Sequence, residues 1–82
     1  MITSEQYKTG SILKSDDGKS LIMLVRKNGE IHLMWLDPDS FMFKVSTDSK
    51  GIDEFRRYTY LTTLDESFCI ALHNDFGLNP QE

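Results

Sequence analysis

The stretch SLIMLVRKNGEIHLMWL, residues 20–36, decides the fold of this chain because it predicts a β-hairpin. Asn28-Gly29 stands between two apolar runs, and a type I′ turn needs positive φ at both of its central residues. A two-residue turn also sets the register, so that each residue before the turn has a defined partner after it. The predicted pairs are Lys27 with Glu30, Arg26 with Ile31, Val25 with His32, Leu24 with Leu33, Met23 with Met34, Ile22 with Trp35 and Leu21 with Leu36.

Both faces of this hairpin are apolar, because side chains alternate between the two faces along each strand. The first face carries Ile22, Leu24, Ile31, Leu33 and Trp35, with Arg26 near the turn. The second face carries Leu21, Met23, Val25, His32, Met34 and Leu36. A sheet with one wet side would have polar residues on one of these faces. We therefore expect a cover on each face: a helix of the chain itself, the curl of a small barrel, or a partner.

The composition is that of one small globular domain, residues 1–82. Nine basic and 13 acidic residues give a net charge of −4, which disfavours general binding to nucleic-acid phosphates. Cys69 is the only cysteine, so that no internal disulfide forms and a reducing compartment is expected. The start of the chain lacks a signal-peptide pattern, and the longest uncharged apolar run, residues 21–25, is too short to span a membrane. The sequence therefore predicts a cytoplasmic protein without membrane contact.

Outside the hairpin, the sequence predicts short strands joined by turns and followed by one helix. Turns are expected at residues 16–18 and 37–40, and strands at residues 11–15, 41–46 and 56–62. Thr63 and Glu66 form a capping box that opens the helix, and Gly77 ends it. The predicted fold is α+β and mostly β: an antiparallel meander of four or five strands, as a curled sheet or a small SH3-like barrel, with a C-terminal helix.

The sequence does not assemble a catalytic, cofactor or metal site. His32 lies in the middle of an apolar strand face, which favours a structural role. Cys69 falls on the apolar stripe of the predicted helix and suits a small core residue. The acidic loops lack the calcium-loop pattern, cysteines at zinc spacing are absent, and the glycines do not form a phosphate loop. We therefore expect a protein that is not an enzyme and uses neither cofactor nor metal.

One candidate partner surface is the apolar cluster on the second face. Its members are Met23, Val25, His32 and Met34. Methionine adapts to irregular partners, and large exposed apolar patches mark interfaces. The alternative, burial of this cluster beneath the C-terminal helix, is the favoured interpretation.

The other candidate surface combines cations with aromatic rings in the predicted strand at residues 56–62. Its members are Arg56, Arg57, Tyr58 and Tyr60. Arginine and aromatic residues are enriched at protein-binding hot spots, and the same mixture stacks bases in RNA-binding sheets. The favoured alternative is that the tyrosines are half-buried strand residues, while the arginines balance Asp53 and Glu54.

The function predicted from these features is a non-enzymatic protein-interaction module or inhibitor. In general style the small acidic domain resembles accessory proteins of bacteria and their viruses, many of which bind and modulate a host protein. Another protein is the expected partner, and a second copy of the chain is one candidate. The alternative is a nucleic-acid-binding small β-barrel that uses the arginine and tyrosine patch, which the net charge disfavours.

Overall fold

The computed structural model describes residues 2–36 and 44–65, which form five antiparallel strands and one turn of 3-10 helix. The strands are β1 Ser11–Ser15, β2 Leu21–Lys27, β3 Glu30–Trp35, β4 Lys44–Val45 and β5 Tyr58–Thr63, and the 3-10 turn is Ile52–Phe55. They form one sheet in the order β4-β3-β2-β1-β5. The mostly β, antiparallel fold predicted from the sequence is confirmed. None of the described helical turns is long and apolar enough to cross a membrane.

The hairpin of β2 and β3 has the predicted register. Val25 pairs with His32 across the strands, and all the other predicted pairs from the turn out to Ile22 and Trp35 are present. Asn28 has φ 54° and Gly29 has φ 81°, as a type I′ turn requires. The pairing extends one step further, because the Leu36 amide donates to the Leu21 carbonyl over 2.9 Å.

The fifth strand departs from the predicted meander. Strands β1 to β4 are neighbours in chain order, but β5 pairs with β1 at the opposite edge from β4. The chain between β4 and β5 crosses the first face of the sheet. On the way, the Lys50 amide donates to the Ile31 carbonyl, Phe55 enters the core, and the Arg57 carbonyl accepts a hydrogen bond from the Asp16 amide. Since β4 and β5 lie at opposite edges, the described sheet is open and does not close into the small barrel considered above.

The first face is covered by the N-terminal segment and the 3-10 turn. Its buried cluster comprises Ile2, Leu13, Ile22, Leu24, Ile31, Leu33 and Phe55. The Phe55 ring lies 6.4 Å from the ring of Tyr7 and 5.7 Å from that of Tyr58, the latter edge-on. Burying each large apolar side chain contributes about 1.5–3 kcal/mol, so this cluster is a main source of stability. Trp35, predicted to share the covered face, is 42% exposed.

The second face is also buried. Its cluster comprises Ile12, Met23, Val25 and Met34, against which Leu36, Val45 and Leu64 pack. The helix predicted to cover this face, with Glu66, Cys69 and Gly77, lies outside the described residues. Thr63, predicted as the cap of that helix, is the last residue of β5. Its hydroxyl lies 3.3 Å from the Ser11 hydroxyl.

Strand β5 contains a bulge that changes which side chains share a face. Leu13 pairs with Tyr60, but Ile12 pairs with Thr62, so Leu61 is an extra residue in β5. Paired residues have their side chains on the same face of the sheet. Thr62 therefore lies on the face opposite to that of Tyr60, whereas simple alternation along β5 would put both on the same face. The bulge brings Thr63 to the side of Tyr60, and their hydroxyls lie 2.7 Å apart.

Candidate interaction surface

The apolar cluster on the second face does not form an open surface. Met23 and Met34 are fully buried, Val25 is 1% exposed, and His32 is 6% exposed. These four side chains are therefore not exposed in the single chain. The favoured alternative places them beneath the C-terminal helix, and that helix lies outside the described residues.

His32 is held in place by a defined polar network. Its Nδ1 lies 2.9 Å from the Ser46 carbonyl oxygen. A carbonyl oxygen can only accept a hydrogen bond, so Nδ1 carries the proton and donates it in this pair. The Ser46 hydroxyl accepts a hydrogen bond from the Leu33 amide and donates one to the Asp48 carbonyl. The imidazole thus links β3 to the chain after β4, which is a structural arrangement.

The arginines of the second candidate surface lie in a turn and not in a strand. Arg56 and Arg57 precede β5 and are both exposed, whereas the predicted strand began at Arg56. The Arg56 Nε donates to the Asp53 carbonyl over 3.1 Å, which closes the turn after the 3-10 helix. A shallow groove beside them is lined by Asp53, Glu54, Arg56, Arg57 and Tyr58. The surface here has mixed charge.

The two tyrosines are half-buried, and both pack against the cluster of the first face. Tyr58 is fixed by its edge-on contact with Phe55, and Tyr60 by the hydroxyl of Thr63. Stacked bases need an aromatic face that is open to them. The packing of these rings favours a structural role for the tyrosines and leaves the arginines as the exposed part of the patch.

Leu61 is the exposed apolar residue that sequence reasoning missed. It is 49% exposed and occupies the bulge position in β5. The only signal in the sequence is a lone apolar residue between Tyr60 and Thr62, on the side of the predicted strand that otherwise carries Arg57 and Thr59.

The outer side of β5 has no strand partner among the described residues, because β5 ends the strand order. The strand has six residues, YTYLTT, and none of them is charged. Edge strands offer unpaired backbone groups to another chain, and charged residues, proline or a β-bulge commonly limit this. Strand β5 lacks the first two and contains a bulge at Leu61. We call Arg56, Arg57 and strand β5 together the β5 edge.

A second groove lies beside the turn of the β2–β3 hairpin, and the interactions of its lining residues stabilise the fold. It is lined by Tyr7, Arg26, Gly29, Glu30, Ile31, Ser49, Lys50 and Gly51. The Tyr7 hydroxyl donates to the Lys50 carbonyl, and burial raises the pKa of Tyr7 above its usual 10.0. Within residues 2–36 and 44–65, the structure contains no cluster of three His, Cys, Asp or Glu residues that could hold a metal ion.

Comparison with protein families, curated proteins and solved structures finds no match to this chain.

Proposed function

We propose that this protein is a non-enzymatic interaction module that binds another protein through the β5 edge. The observation that carries the proposal is an uncharged six-residue outer strand with an exposed Leu61 at its centre. Addition of a strand to such an edge gives affinity through main-chain hydrogen bonds, and neighbouring side chains give specificity.

The charges beside the strand favour a protein over a nucleic acid. Asp53 and Glu54 line the same groove as Arg56 and Arg57, so that the local surface is mixed and not basic. Nucleic-acid affinity depends on cations that neutralise phosphates, whereas mixed charge and exposed apolar area suit a protein surface.

The proposal predicts that a charge in the middle of β5 abolishes partner binding. Immobilised wild-type protein would be compared with Leu61→Lys in extracts of the native host, with captured proteins identified by mass spectrometry. The matched control is Leu21→Lys, because Leu21 is 38% exposed but lies in β2, away from this edge. We expect a protein that is captured by wild type and control and lost with Leu61→Lys.

Two results would count against this function. Capture that Leu61→Lys leaves unchanged would place the contact elsewhere. Capture that disappears on nuclease treatment, together with direct binding to single-stranded RNA or DNA that weakens steeply with salt, would favour the nucleic-acid alternative.

A further inference from the structure

We propose that Asn28-Gly29, the turn of the β2–β3 hairpin, is a site of spontaneous deamidation that limits the lifetime of the folded hairpin. Asparagine followed by glycine is prone to this reaction, because glycine has no side chain to hinder attack by its backbone nitrogen. The chain has three asparagines, and Asn28 is the one that glycine follows, whereas Asp75 and Pro80 follow the other two. This modification does not depend on the proposed function.

The reaction has two steps and consumes only water. In the first step the Gly29 nitrogen attacks Cγ of Asn28. A new C–N bond forms, the bond from Cγ to Nδ2 breaks, and ammonia leaves with the proton of the Gly29 amide. Water then opens the resulting succinimide ring. Opening at Cγ gives aspartate, whereas opening at the main-chain carbonyl gives isoaspartate, in which the chain continues through Cβ and Cγ.

The structure leaves both reacting groups of this turn free. Asn28 and Gly29 are exposed. Among the described residues, the Asn28 side chain has no hydrogen-bond partner and the Gly29 amide has no acceptor. A Cβ built on Gly29 would meet nothing within 4 Å, so no neighbouring atom crowds the turn. Cyclisation therefore breaks no hydrogen bond of these two groups.

Asp17-Gly18 is the contrasting turn, because hydrogen bonds oppose the related reaction there. An aspartate before glycine also cyclises, with loss of water, mainly through its protonated carboxyl group. The Asp17 Oδ1 accepts from the Ser15 hydroxyl at 2.6 Å and from the Lys19 amide at 2.9 Å, which favours the carboxylate. The Gly18 amide donates to the Ser15 carbonyl at 2.9 Å, so the attacking nitrogen is also held. The structure thus separates two exposed turns that have similar sequences.

The isoaspartate product does not fit this hairpin. A two-residue turn sets the strand register, and isoaspartate adds its Cβ to the main chain of that turn. The closing pair of Lys27 with Glu30 then loses its geometry. The aspartate product is different, because Asp-Gly also suits a type I′ turn. The loss of stability therefore comes from the isoaspartate fraction and not from the added charge.

Incubation of the full chain at neutral pH and physiological temperature, followed by mass spectrometry, tests the site. Cleavage after arginine releases residues 27–56, which contain no other asparagine and no glutamine. We expect this fragment to gain the mass difference between an amide and a carboxyl group. Electron-based fragmentation distinguishes isoaspartate from aspartate, and should find isoaspartate at residue 28 and far less of it at Asp17.

Two variants separate the chemistry from its consequence. Gly29→Ala places a methyl group beside the attacking nitrogen, in open space, and should slow the reaction at Asn28 several-fold. Circular dichroism confirms that this variant is folded. Asn28→Asp has the charge of the products with a normal main chain, and its urea midpoint should be close to that of fresh wild type. Incubated wild type should contain a second population that unfolds at lower urea, in proportion to its isoaspartate content.

These measurements also define what would overturn the inference. A fragment 27–56 of unchanged mass, under conditions that convert a synthetic peptide of residues 20–36, would mean that the folded turn is protected. Equal rates in wild type and Gly29→Ala would exclude attack by the Gly29 nitrogen as the limiting step. Equal isoaspartate at Asp17 and residue 28 would refute the protective role of the hydrogen bonds. Isoaspartyl protein with an unchanged urea transition would overturn the effect on the hairpin.

Discussion

At the scale of single residues, the Ser46 hydroxyl shows how one small polar group joins β3 to the chain after β4. It is buried, accepts from the Leu33 amide at 3.2 Å and donates to the Asp48 carbonyl at 2.9 Å. Removing one partner of a buried hydrogen bond costs about 1–3 kcal/mol, because the remaining group is left without a partner. We therefore expect Ser46→Ala to lower the free energy of unfolding by about that amount in urea titrations.

The control for this change is Ser49→Ala, the same substitution at an exposed position a few residues later. It should leave the midpoint of the urea transition nearly unchanged. Equal losses in both variants would mean that the Ser46 network does not contribute to stability.

The hydrogen bonds of Asp17 predict that the free energy of unfolding depends on pH. A hydrogen bond from the Ser15 hydroxyl, and a second from the Lys19 amide, lower the pKa of its carboxyl group from the usual 3.8. The folded state therefore favours the carboxylate. The resulting stabilisation is present above pH 3.8 and is lost as the pH falls through the lower, folded-state pKa.

The variant Asp17→Asn should remove this part of the pH dependence. We expect it to be less stable than wild type at neutral pH, with a difference that shrinks as the solution becomes acidic. Asp16→Asn removes the same charge one residue earlier without touching these hydrogen bonds, and serves as the control. The stabilisation would have another source if both variants showed the same pH profile in thermal unfolding.

At the scale of elements, the hairpin turn depends on its backbone conformation. Gly29 has φ 81°, and a Cβ placed there would meet nothing within 4 Å. The cost of Gly29→Ala is therefore one of backbone strain, about 1–2 kcal/mol. Gly51 has equally open space around it but a φ of −76°, so Gly51→Ala should be neutral or stabilise the fold by up to about 1 kcal/mol. Chemical denaturation of the two variants checks the contrast, which equal effects would contradict.

The hairpin was predictable because its signals are local. The Asn28-Gly29 turn determines the register, and the alternation of side chains then determines which residues share a face. Because both faces are apolar, the sequence correctly predicted that both would be buried. The sequence near the hairpin does not show which segments cover the first face. Ile2 and Phe55 come from segments far apart in sequence, and neither segment carries a strong helical or strand pattern.

The candidate surface was only partly predictable for the same reason. The residue types at 56–60 indicated an interaction patch, but strand pairing decides which of their side chains are exposed. Because β5 pairs with β1 through a bulge, Tyr58 and Tyr60 lie against the core while Leu61 is exposed. Alternation within β5 alone cannot locate an extra residue that is defined by its partner strand.

At the scale of the whole molecule, stability depends on two thin cores on either side of one sheet. A chain of 82 residues has a free energy of unfolding of about 4–12 kcal/mol at typical values per residue. The loss of one large buried ring is therefore a large part of the total. Among the described residues, Phe55 is the largest of the fully buried side chains, and it links the 3-10 turn to β5 through Tyr58.

We expect Phe55→Ala to lower the free energy of unfolding by about 3–5 kcal/mol, as a cavity in the first core would. The control is Trp35→Ala, because Trp35 is larger but 42% exposed, and its loss should cost clearly less in the same urea titration. Since Phe55 supports Tyr58, amides of β5 should exchange hydrogen faster in Phe55→Ala than those of the β2–β3 hairpin. Uniform acceleration across the sheet would instead mean that both cores and all strands unfold as one cooperative unit.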